Sequence, residues 1–221
     1  MIQKLKILDT HYVNHDVKRF VLEKPLGFTY LPGQAAELSV NLPDWEDKTR
    51  PFTFTSLNHW DYLEFLIKIY DDHPGVTHQL GRTNAGSELL LHQVFGSIQY
   101  KGPGIFLAGG TGITPFIAIF RALFHTGKIK ENGLIYSNKS ADDIILQDEL
   151  MRMLGPNYIN VFTKQGVIGF LEKRIDKKFL VETIRDFDRN FYICGPNDFV
   201  KEINTHLISL GVAPESLVFE H

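Results

Sequence analysis

At Lys101-Gly-Pro-Gly104 the chain switches from one repeating pattern to another. Before it, residues 4–9, 17–23, 35–42, 52–56, 62–70 and 87–92 are short runs rich in β-branched and aromatic side chains. Pro25-Leu-Gly27, Leu31-Pro-Gly33 and Asn41-Leu-Pro43 punctuate them as turns. With one short helical candidate at 74–80, this half predicts an antiparallel β-barrel. After the switch, strands at 105–108, 133–137, 159–163, 191–194 and 217–219 alternate with helices at 115–125, 147–154, 173–184 and 198–210. Such alternation implies a parallel sheet covered on both faces. The expected fold is a barrel over residues 1–100 followed by an α/β domain over 101–221.

A chain of 221 residues has room for two such domains, each with a core. The net charge of −3, with no basic run, points away from nucleic acid and from a membrane surface. One cysteine excludes an internal disulfide and a four-thiolate zinc or iron–sulfur site, and with it a fused plant-type ferredoxin domain. The first residues lack the apolar core of a signal peptide. Glycines and Pro115 interrupt the most apolar stretch, 104–120, so it predicts no membrane span. The expectation is a soluble, cytoplasmic monomer.

Four segments carry candidate chemistry. In Arg50-Pro-Phe-Thr-Phe-Thr-Ser56, an arginine fork suits a pair of phosphate groups. Alternation on a strand lets Phe52 lie against a flat ring while Thr53 points a hydroxyl at a ring nitrogen. The plainer reading is an ordinary strand with its arginine in water. In Tyr70-Asp-Asp-His-Pro-Gly-Val-Thr77, a glycine beside a helix start can aim N–H groups at an anion, or can simply make a tight turn.

Gly109-Gly-Thr-Gly-Ile-Thr-Pro115 follows an apolar strand and precedes a helix. Thr114 reads as its N-cap and Pro115 as its first residue. Gly110 and Gly112 fit the first two glycines of the dinucleotide fingerprint, but Pro115 stands where the third belongs. A glycine turn packed tightly for structural reasons is the competing reading. Phe191-Tyr-Ile-Cys-Gly-Pro196 puts Cys194 at the end of a strand, the edge where open α/β sheets bind ligands. A lone cysteine on an apolar strand is otherwise a small core residue.

The histidines predict no metal site. His11 and His15 have helical ligand spacing but fall in a strand-like region, and His73 and His78 lack a well-spaced acidic partner. No Gly-x-Ser-x-Gly elbow supplies a hydrolase nucleophile.

Taken together, the segments resemble the ferredoxin–NADP reductase superfamily, in particular its compact flavodoxin/ferredoxin reductase-like members. Leu31-Pro-Gly-Gln34 is similar to the family's Pro-Gly-Gln segment. The resemblance implies a flavin-binding barrel and an NAD(P)-binding domain, with FAD and NADH or NADPH as cofactors. It implies that Arg50, with Pro51, contacts the FAD pyrophosphate, that Phe52 stacks on the flavin, and that Thr53 hydrogen-bonds near its N5. Gly75, Val76 and Thr77 would hold the pyrophosphate, and Gly110, Thr111 and Gly112 would line the nicotinamide nucleotide site. Cys194, Gly195 and Pro196 would lie beside the nicotinamide, and Glu220 would take the C-terminal acidic position near the flavin. The family usually has tyrosine where Phe52 stands, and many relatives end in an aromatic where this chain has His221.

The implied enzyme passes electrons to a small acceptor such as flavodoxin or ferredoxin. Two alternatives stand beside it: an electron-transfer subunit of a larger complex, and a non-catalytic nucleotide-binding module. Lys139 and Lys164 would suit a ribose 2′-phosphate, whereas Asp142 and Asp143 would suit an unmodified ribose. The stretch 138–150 resembles NADH-using relatives, which favours NADH.

Overall fold

The computed structural model describes residues 2–96, 98–164 and 174–219. Six strands, β1 (Gln3–Tyr12), β2 (Val17–Glu23), β3 (Gln34–Val40), β4 (Arg50–Thr53), β5 (Tyr62–Lys68) and β6 (Glu88–Gly96), form a sheet in the order β4-β3-β6-β1-β2-β5. All its pairings are antiparallel. The two outer strands meet where Phe54 bridges to Phe65 and the Thr55 N–H donates to the Glu64 carbonyl at 2.9 Å. That contact rolls the sheet into a barrel and covers its edges.

The alternation of β5 explains how the barrel meets its neighbour. Leu63, Phe65 and Ile67 point into the barrel core beside Phe20 and Phe54. Leu66, on the opposite face, belongs to a second core made with the following domain. Glu64 shares that face by the same alternation, so a strand buried between its two end residues presents a carboxylate to the seam. Helix α1 (Val76–Arg82) packs Val76 and Leu80 into the barrel. Its C-terminal end is held by the buried Lys18, whose Nζ donates to the carbonyls of Gly81 and Thr83 at 3.0 and 2.7 Å.

Five strands, β7 (Gly104–Gly109), β8 (Gly133–Asn138), β9 (Tyr158–Phe162), β10 (Asn190–Cys194) and β11 (Leu217–Phe219), form a parallel sheet in the order β11-β10-β7-β8-β9. Helices α2 (Thr114–His125) and α3 (Gln147–Leu154) cover one face, where Phe106 meets Phe116 and Phe120 edge-on and Tyr192 stacks on Phe106. Helices α4 (Lys177–Thr183) and α5 (Asn197–Ser209) cover the other, around Leu107, Leu180, Ile193 and Leu207. The chain runs outward from β7 to β9, then returns to β10 on the far side of β7. The carboxyl ends of β7 and β10 are therefore the topological switch point, where open sheets of this kind bind ligands.

The helix expected at 173–184 is shorter: α4 is started by Asp176, whose carboxylate accepts the Phe179 N–H at 2.7 Å, and residue 173 lies outside the described residues. Among the described residues, no helix is long and apolar enough to cross a membrane.

Candidate active site

The site begins where β7 ends. Gly110 has a φ of +55°, a left-handed conformation that favours glycine, and opens a single 3-10 turn over Gly110–Ile113. Gly112 is pressed against the end of β10: a Cβ there would lie 2.3 Å from the Cys194 carbonyl oxygen and 2.6 Å from the Gly195 nitrogen. Its missing side chain thus lets the two loops of the switch point touch. Thr114 is not the N-cap that the sequence suggests. It lies inside the helix, with Ile113 in the cap position, and its hydroxyl donates back to the Thr111 carbonyl at 3.0 Å. The preceding 3-10 turn supplies the start that a capping side chain would otherwise provide.

A cavity of 450 Å³ opens between this loop pair and the barrel. Pro51, Phe52 and Thr53 of β4 line one side of it, and Thr77 of α1 contributes a hydroxyl-bearing side chain. Thr111, Gly112, Cys194, Gly195 and Pro196 line the side made by the parallel sheet. Residues from four segments far apart in sequence therefore share one cavity. Phe52 is half-buried and also packs against the barrel core, so its ring has one supported face. Cys194 is buried at the end of β10, in register with Ala108 of β7.

Other expected residues lie apart. Arg50 is exposed, and its guanidinium donates to the Thr49 carbonyl at 2.9 Å. Gly75 and Val76 do not line the cavity, and the Val76 side chain is committed to the barrel core, which leaves backbone groups for any ligand. Gly110 lines a neighbouring cavity of 370 Å³ at the carboxyl ends of β7 and β8, with Thr111, Ser137 and Asn138. Glu220 and His221 lie outside the described residues.

Lys68, which the motifs missed, and Tyr70, the first residue of the Tyr70–Thr77 segment, border both cavities. Lys68 is the one cation of β5, at the end of a strand in which Glu64 is the one other charged residue, and that is the signal that could have found it. Its ammonium lies 2.5 Å from Asp16 Oδ2. Burial pulls the Lys68 pKa down, but the hydrogen bond and charge of Asp16, together with Tyr70 and Asp143, outweigh it and the net shift is upward. Asp143, after β8, accepts from the Ser140 N–H at 2.8 Å and its hydroxyl at 2.6 Å. Burial pushes that carboxyl up, yet these bonds with the nearby His15 and Lys68 hold it below the ordinary range.

The first cavity offers an apolar wall and threonine hydroxyls, which fits a flat conjugated ring with polar edge atoms. The second offers glycine backbone and Lys68, which fits phosphate. Lys68, Tyr70, Thr111 and Pro196 are common to both, so two ligands placed there would meet.

Residues 4–100 match the oxidoreductase FAD-binding domain family, and residues 106–205 match the oxidoreductase NAD-binding domain family. The chain belongs to the ferredoxin–NADP reductase-like flavin oxidoreductases. This oxidoreductase is 29% identical to NADH–cytochrome b5 reductase 1 of Arabidopsis thaliana, over 96% of its own length and 82% of that relative. It is 27% identical to the anthranilate 1,2-dioxygenase electron transfer component of Acinetobacter baylyi, covering 83% of itself but 55% of that protein. Its fold matches a ferredoxin NADP+ reductase from Neisseria gonorrhoeae with a TM-score of 0.84 at 21% identity, covering 99% of this chain and 98% of that one. The oxidoreductase is thus an NAD(P)H-dependent flavoenzyme with FAD as its flavin.

Proposed function

We propose that this oxidoreductase takes hydride from NADH, in preference to NADPH, and passes electrons singly to a small electron-carrier protein. The observation that carries the reading is the convergence of β4, α1, the β7–α2 loop and the end of β10 on one cavity that adjoins a second. In this reading residues 1–100 hold the flavin and 101–221 the nicotinamide nucleotide, in a cytoplasmic monomer. Bound FAD supplies the chemistry of accepting a hydride and releasing electrons one at a time.

The chain's own residues bind and orient. Arg50 pairs with the FAD pyrophosphate, beside Pro51 and the backbone of Gly75, Val76 and Thr77. Phe52 lies against the ring, and the Thr53 hydroxyl bonds at its edge near N5. Gly110, Thr111 and Gly112 bring backbone close to the nucleotide. Cys194, Gly195 and Pro196 set the position of the nicotinamide, because transfer needs the reacting atoms within about 3–3.5 Å. Glu220 belongs beside the flavin in the same reading.

Asp142 and Asp143, at the end of the second strand from the switch point, support NADH, since carboxylates there accept from ribose hydroxyls and repel a 2′-phosphate. Flavodoxin and ferredoxin are candidate acceptors, and the name of the Arabidopsis relative adds cytochrome b5.

The test is a visible spectrum of protein supplied with FAD and desalted, followed by anaerobic titration with NADH and with NADPH. A retained flavin spectrum that NADH bleaches at lower concentration is expected. Bound flavin that neither donor reduces would sink the hydride-transfer role. Reduction of purified cytochrome b5, ferredoxin and flavodoxin would then rank the acceptors.

A further inference from the structure

The turn between β1 and β2 crosses the seam and touches the loop after β8. Asn14 Nδ2 donates to the Asp143 carbonyl at 3.3 Å. His15 Nδ1 lies 3.2 Å from the Asp142 carbonyl oxygen. His15 Nε2 lies 3.4 Å from Asp16 Oδ2 and 3.6 Å from Asp143 Oδ1. Both ring nitrogens therefore face acceptors. A neutral imidazole has one N–H and one lone pair, so only the doubly protonated ring gives each nitrogen a hydrogen to present.

The charge around this ring is balanced without it. A cavity of 610 Å³ is lined by Lys68, Lys139 and Lys164 and by Asp16, Asp142 and Asp143, with His15 as the remaining titratable group of the lining. Lys68 comes from β5, Asp16 from the β1–β2 turn, and the other four from the loops after β8 and β9. Three cations offset three anions, and the proton on His15 decides whether the cavity is neutral or positive. Asp16, Lys68, Lys139 and Asp143 also line the cavity that receives Gly110 and Thr111, so the two spaces adjoin. The position, beyond the carboxyl end of the second strand, is where sheets of this topology read the 2′ substituent of an adenosine ribose.

We propose that His15, a residue of the barrel, controls by its protonation how well the nucleotide domain tolerates a 2′-phosphate, so that acceptance of NADPH relative to NADH rises as pH falls. The inference rests on the reading that these adjoining cavities take a nicotinamide dinucleotide. Imidazole is the side chain whose charge ordinarily changes between about pH 5 and 8. The His15 side chain is 54% exposed, so solvent and salt screen its charge and the effect is moderate.

The experiment uses the FAD-loaded full chain and two probes, 5′-AMP and adenosine 2′,5′-bisphosphate, titrated calorimetrically at low salt between about pH 5.5 and 8.5. The affinity for the bisphosphate relative to AMP is expected to fall with rising pH by about threefold to fivefold more in the wild type than in His15→Asn. The probe's own phosphate titrates near pH 6, but it does so against both proteins, so the difference between them reports His15. His15→Lys, with a fixed charge, should keep the relative affinity near its low-pH level throughout. Equal pH dependence in wild type and His15→Asn, or a His15→Lys profile that follows the wild type, would overturn the proposal and leave the nucleotide site standing. Failure of both probes to bind the wild type would bring down the nucleotide site and the proposal together.

Discussion

Arg121 of α2 and Glu64 of β5 meet across the domain seam at 2.6 Å, with the Glu64 side chain only 1% exposed. The same guanidinium donates to Glu149 at 2.6 and 2.8 Å and to the Thr55 carbonyl at 2.7 Å, while Arg19 reaches Glu64 from within the barrel at 2.6 Å. Burial pushes the Glu64 carboxyl up, but Arg121 and Arg19 outweigh it and hold it below the ordinary range. Burial likewise opposes the charge on Arg121, and Glu149 and Glu64 more than restore it. The pair fixes the register of the two domains on which the shared cavity depends.

Arg121→Met should therefore lower stability by about 3–5 kcal/mol, because it leaves a buried carboxylate with reduced compensation. Chemical denaturation would measure it, and the double change Glu64→Leu with Arg121→Met should cost less than the two singles summed. The pH dependence has a definite sign. A lowered folded-state pKa contributes stability that is present above the unfolded value, about 4.3, and is lost as pH falls through the folded value. The wild type should lose more stability on acidification than Glu64→Gln does.

Gly112→Ala should destabilise by about 1–3 kcal/mol, since the added carbon meets backbone rather than a flexible side chain. Relief can come only from separating the β7–α2 loop from the end of β10. Hydride transfer should then slow by more than nucleotide affinity falls, as read by stopped-flow reduction beside a binding titration. Equal losses in both would mean that the contact with Cys194 is merely structural.

Lys68→Met keeps an unbranched side chain of nearly the same length and removes its charge. The Km for NADH should rise by about tenfold, from the loss of a charge-assisted phosphate contact, while the bound flavin spectrum stays unchanged. Steady-state kinetics on flavin-replete protein would show it. Loss of flavin instead would place Lys68 with the first cavity rather than the second.

The two sheets were legible because each depends on a local pattern: short punctuated strands for the barrel, strand–helix alternation for the second domain. Gly110 was legible as a turn glycine and has the left-handed φ such a turn needs. Gly112 matched the same fingerprint, but the Cys194 carbonyl that explains it lies 82 positions away in sequence and cannot be read locally. Asp16 and Lys68 were missed for a related reason. Each resembles an ordinary surface charge until β1, β2 and β5 bring them together beside the second domain. His15 reads in the sequence only as a partner of His11, at a ligand spacing that a strand-like region does not bring together, and its contacts with Asp142 and Asp143 exist only across the seam. Local periodicity yields the elements, whereas groups that meet between domains depend on a docking that no window of sequence contains.

Arg50→Ala and Cys194→Ala should separate flavin binding from flavin reduction. Arg50 is exposed at the start of β4, next to Pro51 and Phe52 of the cavity lining, so its loss removes charge without disturbing the core. Phosphate left without that partner should weaken FAD retention by about tenfold or more, measured as flavin recovered after desalting. Cys194 is buried at the end of β10 against the loop that carries Gly112, so alanine there fills less of the space behind the position proposed for the nicotinamide. Positioning errors near 1 Å can cost about a hundredfold in transfer rate, and the truncation should slow anaerobic bleaching by NADH while FAD stays bound. Arg50→Ala, once re-saturated with FAD, should bleach at close to the wild-type rate. If it does not, Arg50 orients the ring as well as holding the phosphates, and the division of labour between the β4 segment and the β10 segment fails.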